Sequence, residues 1–256
     1  MQNTIVKLAQ SLESVKTLAF DYDGTLAPPN VPREESRVFH EFKEALVNLR
    51  SKFAIVIVTT KDCSFVIKRT PFAHAWACSN GFEIRFQGVS IFPSEILDDP
   101  RRSVLEKLLN KALELGQRYG IFIEIKRVGC TNVGFCIDWR GKISEPPDDV
   151  KNIVSEAKQL GLSVIEYPNR PFIDVFLTRV DKSWALQKML ELGIVKRPIA
   201  YFGDSENDIP AFRIADISIQ IVHEENRWMD LGADYRITHD ELAELLRNLA
   251  HGLKTA

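Results

Sequence analysis

Phe53-Ala54-Ile55-Val56-Ile57-Val58 is apolar at every position. A half-buried strand alternates, and an amphipathic helix repeats every three or four residues; an unbroken run does neither. Such a run suits a parallel strand covered on both faces. The preceding segment agrees. Thr17–Tyr22 is a short, mostly apolar run ended by Asp23-Gly24, so it reads as a buried strand entering a turn. Between the two, residues 34–50 put Phe39, Phe42, Leu46 and Leu49 on one helical face. Strand, helix, strand is the opening of a parallel α/β sheet.

From about Gly81 the pattern changes. Residues 83–92 alternate like a hairpin, and residues 102–117 carry Val104, Leu105, Leu108, Leu109 and Ala112 on one helical face. Strands are expected near 121–127 and 133–139. Pro146-Pro147-Asp148 opens a helix that Gly161 stops, and strands near 163–167 and 172–178 follow. Paired strands around two helices describe an inserted α+β domain over 83–178, with 1–82 and 179–256 forming the α/β core. After Arg179 the parallel pattern resumes: a helix over 183–193, strands at 198–202 and 217–221, and a last helix opened by the capping box Thr238-x-x-Glu241. Leu242, Leu245, Leu246, Leu249 and Leu253 mark the inner face of that helix.

Polar residues gather where the core's elements end or begin. Asp21 and Asp23 follow the first strand, and Thr59 and Thr60 follow the second. Gly203-Asp204-Ser205-Glu206-Asn207-Asp208 follows the strand ending at Phe202, and Lys182 opens a helix. Ligands of parallel sheets bind beyond the carboxyl ends of the strands, so these clusters are expected to share one crevice. Asp21, Asp23, Asp204 and Asp208 would repel one another unless a cation sat among them, and oxygen-only ligands favour a hard ion such as Mg²⁺. Lys182 adds a fixed positive charge, while a Thr hydroxyl and backbone N–H groups can hold phosphate oxygens. One carboxylate could attack phosphorus and the other move a proton.

Asp21-x-Asp23-Gly24-Thr25, Thr59 after an apolar strand, Lys182, and Gly203-Asp204-x-x-x-Asp208 resemble, in order, the four motifs of the haloacid dehalogenase (HAD) superfamily. The resemblance implies a Rossmannoid parallel sheet with helices on both faces and an inserted α+β cap that selects the substrate. It implies Asp21 as nucleophile and Asp23 as acid/base. It also implies metal ligation by Asp21, the Asp23 carbonyl, Asp204 and, directly or through water, Asp208. Thr59, Lys182 and Asn207 would contact the phosphoryl group, and Gly24, Thr25 and Thr60 complete the phosphate-binding set. The insert resembles the sugar-phosphatase branch: Ser79–Ile84 and Phe135–Arg140 are similar to stretches of trehalose-6-phosphate phosphatases, and Gly203–Asp208 is closer to phosphoglycolate and sucrose-phosphate phosphatases. Arg140 is the substrate-binding candidate of the insert. With Arg85, Lys126, Arg127 and Arg170 it belongs to a set read mostly as solvated charge. The implied activity is Mg²⁺-dependent hydrolysis of a small phosphorylated sugar or related metabolite. The alternatives are a phosphosugar mutase and a non-catalytic phosphate-binding protein.

The formal charge of -2 and the lack of a basic run argue against nucleic-acid or membrane-surface partners. Met1–Val15 has no apolar core of a signal peptide. Cys63, Cys78, Cys130 and Cys136 form no Cys-x-x-Cys pair and read as reduced, packed thiols of a cytoplasmic protein.

Overall fold

The computed structural model describes residues 2–29, 31–94, 96, 100–167 and 170–252. The chain divides into two compact units, Met1–Ile91 with Asp181–Ala256, and Phe92–Val180.

The first unit is built on an eight-stranded sheet. In chain order its elements are α1 (Gln2–Leu12), β1 (Thr17–Phe20), α2 (His40–Leu49), β2 (Ala54–Val58), α3 (Cys63–Val66), β3 (Ala75–Cys78), β4 (Glu83–Phe86) and β5 (Val89–Ile91). The strand order begins with β5 at one edge and continues inward through β4, β3, β2 and β1. Every residue of β1 is buried, as its apolar sequence requires. Alternate residues feed two cores. Leu18, Phe20, Ile55 and Ile57 pack with Leu8, Phe42 and Leu46 of α1 and α2, and Ala19, Val56 and Val58 lie in the core on the other face.

The hairpin expected over 83–92 forms, but in this sheet: β4 pairs antiparallel with β3, Ala77 opposite Ile84, and β5 with β4. The first boundary therefore falls after Ile91 and not after Phe82. Strand β3 has no counterpart in the sequence reading. Ala-Trp-Ala-Cys carries two residues of poor strand propensity, and pairing with β2 (Val58 opposite Ala77) makes it a strand.

The second unit holds α4 (Arg102–Tyr119), β6 (Phe122–Val128), β7 (Thr131–Asp138), α5 (Asp148–Gln159), β8 (Ser163–Glu166) and β9 (Phe172–Phe176). Its antiparallel sheet runs β6-β7-β9-β8, the pattern expected of the insert. The remaining elements return to the first unit: α6 (Lys182–Glu191), β10 (Ile199–Gly203), α7 (Ile209–Phe212), β11 (Ile217–Val222), β12 (Tyr235–Thr238) and α8 (His239–Gly252). Strand β10 lies parallel to β1, with Phe20 opposite Phe202, and β11 and β12 extend the sheet beyond it. The capping box forms: the Thr238 N–H donates to Glu241 Oε2 (2.8 Å), and the Glu241 N–H donates to Thr238 Oγ1 (3.3 Å). Leu253 lies outside the described residues.

The cysteine expectation is overturned. Cys63 and Cys78 form a disulfide, while Cys136 is a buried thiol and Cys130 an exposed one. The parallel pairing of β2 and β3 brings the first turn of α3 beside the last residue of β3, a proximity that linear spacing does not show. Closing a loop of 15 residues removes roughly 3 kcal/mol of unfolded-chain entropy.

Candidate active site

Strands β1, β2, β10, β11 and β12 are parallel, so their carboxyl ends share one edge of the sheet. The residues that follow them are Asp21, Thr59, Asp204, His223 and His239. Asp21 is still held in the ladder, its N–H donating to the Phe202 carbonyl at 2.8 Å. One carboxylate oxygen from each of Asp21, Asp204 and Asp208 lies within 4.8 Å of the others, and all three residues are buried.

Lys182 is the countercharge. Its ammonium is fully buried and sits 2.8 Å from Asp21 Oδ1 and 2.6 Å from Asp208 Oδ1. Burial, which would lower its pKa, is outweighed by Asp208 and Asp21, so it stays protonated. Burial pushes the Asp21 carboxyl well above its ordinary range; Lys182 opposes that, and Asp208 and Asp204 add to it. One ammonium thus stands against three carboxyl groups, of which Asp204 also meets the His223 ring.

The three aspartates are not equivalent. Asp208 accepts from Lys182 and from the Tyr201 hydroxyl at Oδ1 (2.6 Å each), and from the N–H groups of Asp204 and Ser205 at Oδ2 (3.0 Å each). Four donors fill the lone-pair sites of a carboxylate, so Asp208 is the organiser of the loop. The absence of a side chain at Gly203 makes room for it: a Cβ there would stand 2.3 Å from Asp208 Cγ. Gly24 serves Asp204 similarly, with a φ of +75° and a virtual Cβ 2.3 Å from Asp204 Oδ2.

A second layer holds Asp204. His223 Nε2 lies 3.0 Å from Asp204 Oδ2. Asn226, wholly buried, donates from Nδ2 to the carbonyls of Asp204 and Ile221 at 2.8 Å each, and its Oδ1 accepts from the His223 N–H. His239 bonds the Gly24 carbonyl at 2.9 Å through Nε2 and lies 6.0 Å from the His223 ring. The sequence reading missed these residues. The rule that found Asp21 and Thr59, a polar residue just past an apolar strand, would also have marked His223.

The other expected residues are distributed as follows. Asp23 is partly exposed, with Lys61 Nζ 3.5 Å from its Oδ2. Thr59 is buried at the end of β2; its N–H donates to Ala77, and its hydroxyl accepts from the Lys61 N–H. Thr60, next in the chain, is half-buried. Thr25 is wholly buried, and its Oγ1 has no hydrogen-bond partner among the described residues. Asn207 accepts from the Ser205 hydroxyl at 2.8 Å within the Gly203–Asp208 loop.

Arg140 belongs to the other unit, with Nη2 3.5 Å from Asp138 Oδ2 and its guanidinium 5.5 Å from the Phe172 ring centroid. That unit also corrects the reading of Lys126 as a solvated charge. Lys126 is 3% exposed and pairs with Glu124 at 2.9 Å. Glu124, Cys136 and Asp174 stand opposite one another across three strands, and Lys126 shares their face. The Tyr167 hydroxyl donates to Asp174 at 2.9 Å, and burial raises the Asp174 carboxyl above its ordinary range.

Residues 140–226 match the model of the haloacid dehalogenase-like hydrolase family. The matched stretch contains Lys182, Gly203–Asp208 and Asn226. Phosphoglycolate phosphatase 2 of Saccharolobus solfataricus is 26% identical over 209 residues, covering 80% of this chain and 79% of that protein. A trehalose-6-phosphate phosphatase related protein superposes with a TM-score of 0.75 at 19% identity, covering 94% of this chain and 100% of that one. The C-terminal domain of C. albicans trehalose-6-phosphate phosphatase gives a TM-score of 0.73 at 15% identity, over 98% of this chain and 96% of that one. The resemblance read from the motifs and the α/β fold class both stand. Among the described residues, no helix is long and apolar enough to cross a membrane.

Proposed function

We propose that this chain, a haloacid dehalogenase-like hydrolase in sequence and fold, is a phosphoric monoester hydrolase that releases inorganic phosphate from a small phosphorylated sugar or related metabolite. The observation that carries the reading is the convergence of Asp21, Asp204, Asp208 and Lys182 from distant parts of the chain into one buried cluster.

The donor set fits a hard divalent cation. It is all oxygen and mostly acidic, and the Asp21 carboxyl is pushed well above its ordinary range by burial and by Asp208 and Asp204, a shift that a bound cation would oppose. Asp21, the Asp23 carbonyl and Asp204 would hold Mg²⁺, with Asp208 acting through water because its oxygens are already engaged. When bound, Mg²⁺ supplies charge neutralisation for the phosphoryl group and keeps Asp21 ionised.

The chain's own residues carry the steps. Asp21 attacks phosphorus, and the bond from phosphorus to the leaving oxygen breaks as that oxygen takes a proton from Asp23. Asp23, now a carboxylate, removes a proton from water, which attacks the aspartyl-phosphate and frees Asp21 and phosphate. Lys182 and Thr59 hold phosphoryl oxygens, and Gly24, Thr25, Thr60 and Asn207 shape that end of the site. Arg140 is the inserted unit's candidate for substrate recognition, whereas Lys126 and Asp174, each 3% exposed, are internal charges of that unit.

The test is Asp21→Asn assayed for Mg²⁺-dependent phosphate release over a panel of sugar phosphates, phosphoglycolate and a generic ester. The variant should lose turnover and keep its circular dichroism spectrum. Near-normal turnover would sink the mechanism. Transfer of phosphate between positions of the substrate, with none released, would favour a mutase.

A further inference from the structure

The first unit has a second charged site, of opposite sign to the carboxylate cluster. An open surface cleft of about 360 Å³ is lined by Arg37, Val38, Lys43, Lys68 and Arg69, of which Arg37, Lys43 and Lys68 are exposed. That is within the roughly 300–1,000 Å³ of pockets that hold small molecules. Four of the five lining residues are basic and none is acidic, in a chain whose 35 acidic residues outnumber its 33 Lys and Arg.

The two guanidiniums are fixed without being neutralised. Arg37 Nη1 donates to the carbonyls of Glu34 (2.7 Å) and Ser36 (2.8 Å). Arg69 donates from Nε to the Ser36 carbonyl (2.9 Å) and from Nη1 to the Phe65 carbonyl (3.2 Å), and its guanidinium lies 3.7 Å from the Phe65 ring centroid. Carbonyl oxygens orient a fork but leave its full charge in place. Among the described residues, none of the four cations forms an ion pair with a carboxylate. Preset planar forks beside two flexible ammonium groups suit the oxygens of a phosphate-bearing ligand.

We propose that this cleft binds a small, multiply charged phosphate compound, and that it does so without a metal ion. The carboxylate cluster has the reverse requirement, since it repels an anion until a cation is bound. The two sites are therefore separable in metal-stripped protein. Among the described residues the ammonium groups of Lys43 and Lys68 make no hydrogen bond, so replacing these side chains tests the charge without disturbing the main-chain network that Arg37 and Arg69 support.

The experiment is isothermal titration of pyrophosphate into metal-stripped protein in chelator-free buffer at low ionic strength. One equivalent should bind, and K43Q/K68Q should bind at least tenfold more weakly, with the wild-type affinity falling as salt is raised. Absence of binding to the wild-type protein would overturn the proposal. So would equal binding by the double variant, because the anion would then sit elsewhere. Neither outcome bears on turnover, so the test stands apart from the catalytic reading.

Discussion

Replacing Lys182 with Met keeps much of the side chain's volume and removes its charge. In the native protein the ammonium is 0% exposed and touches Asp21 and Asp208, whose side chains are 7% and 0% exposed. Removing one partner of a buried ion pair costs about 3–5 kcal/mol, because the remaining charge is left uncompensated. For a chain of this size, each kcal/mol moves the melting temperature by about 2–4 °C, so metal-free Lys182→Met should melt about 6–20 °C below wild type. Two further readouts distinguish charge from packing. Mg²⁺ should recover part of the loss, since a cation among the aspartates replaces part of the missing charge. The deficit should also depend on pH. The folded pKa of Asp21 is raised, and losing Lys182 raises it further. The native state then binds more protons than the unfolded state, so stability falls as pH rises from about 3.9 through the folded value. The gap to wild type should be small near pH 4 and widen toward neutrality. Differential scanning calorimetry in chelator and in Mg²⁺, at several pH values, measures all three effects. A metal-free shift under about 2 °C, or one that neither Mg²⁺ nor acid reduces, would refute the charge-balance argument.

His223→Gln should weaken Mg²⁺ binding to the stripped protein about 10- to 100-fold by titration calorimetry, because partners that orient a ligand carboxylate set its affinity; unchanged affinity would remove His223 as a positioning residue. Gly24→Ala forces a left-handed residue costing about 1–2 kcal/mol and drives a methyl group into Asp204. It should melt about 2–8 °C lower and lose metal binding, and a variant that keeps both would contradict the close approach. His74 accepts the Ile55 N–H at Nδ1, and burial lowers its pKa. The unfolded state therefore binds more protons below about pH 6.5, and stability should drop as pH falls from 7 to 5.5. His74→Gln should flatten that slope in urea titrations; an unaltered slope would exclude His74 as its source.

The parallel core was legible because a doubly covered strand writes its burial into every residue. Thr17–Phe20, Ala54–Val58 and Ile199–Gly203 need no partner's identity to be recognised. The catalytic candidates were legible for a related reason. In such a sheet the residue after each strand faces the ligand edge, so Asp21, Thr59 and Asp204 announce themselves by place as well as type. Residues whose structure comes from a neighbour were not legible. Ala75–Cys78 becomes a strand by pairing with β2, and the hairpin at 83–91 looked like part of the insert until β3 claimed it. Lys126 carries no local sign that it is buried.

The chain's order of residues determined which groups could do chemistry and which elements would carry them, since hydrophobic period and strand-end placement are local properties. Tertiary structure alone decided their partners: Cys63 with Cys78, Lys182 between Asp21 and Asp208, His223 against Asp204. Those pairings depend on distances of a few ångströms between residues as many as 161 positions apart, as with Asp21 and Lys182. Short-range electrostatics and covalent reach are set by such distances, and no linear pattern encodes them before the sheet assembles.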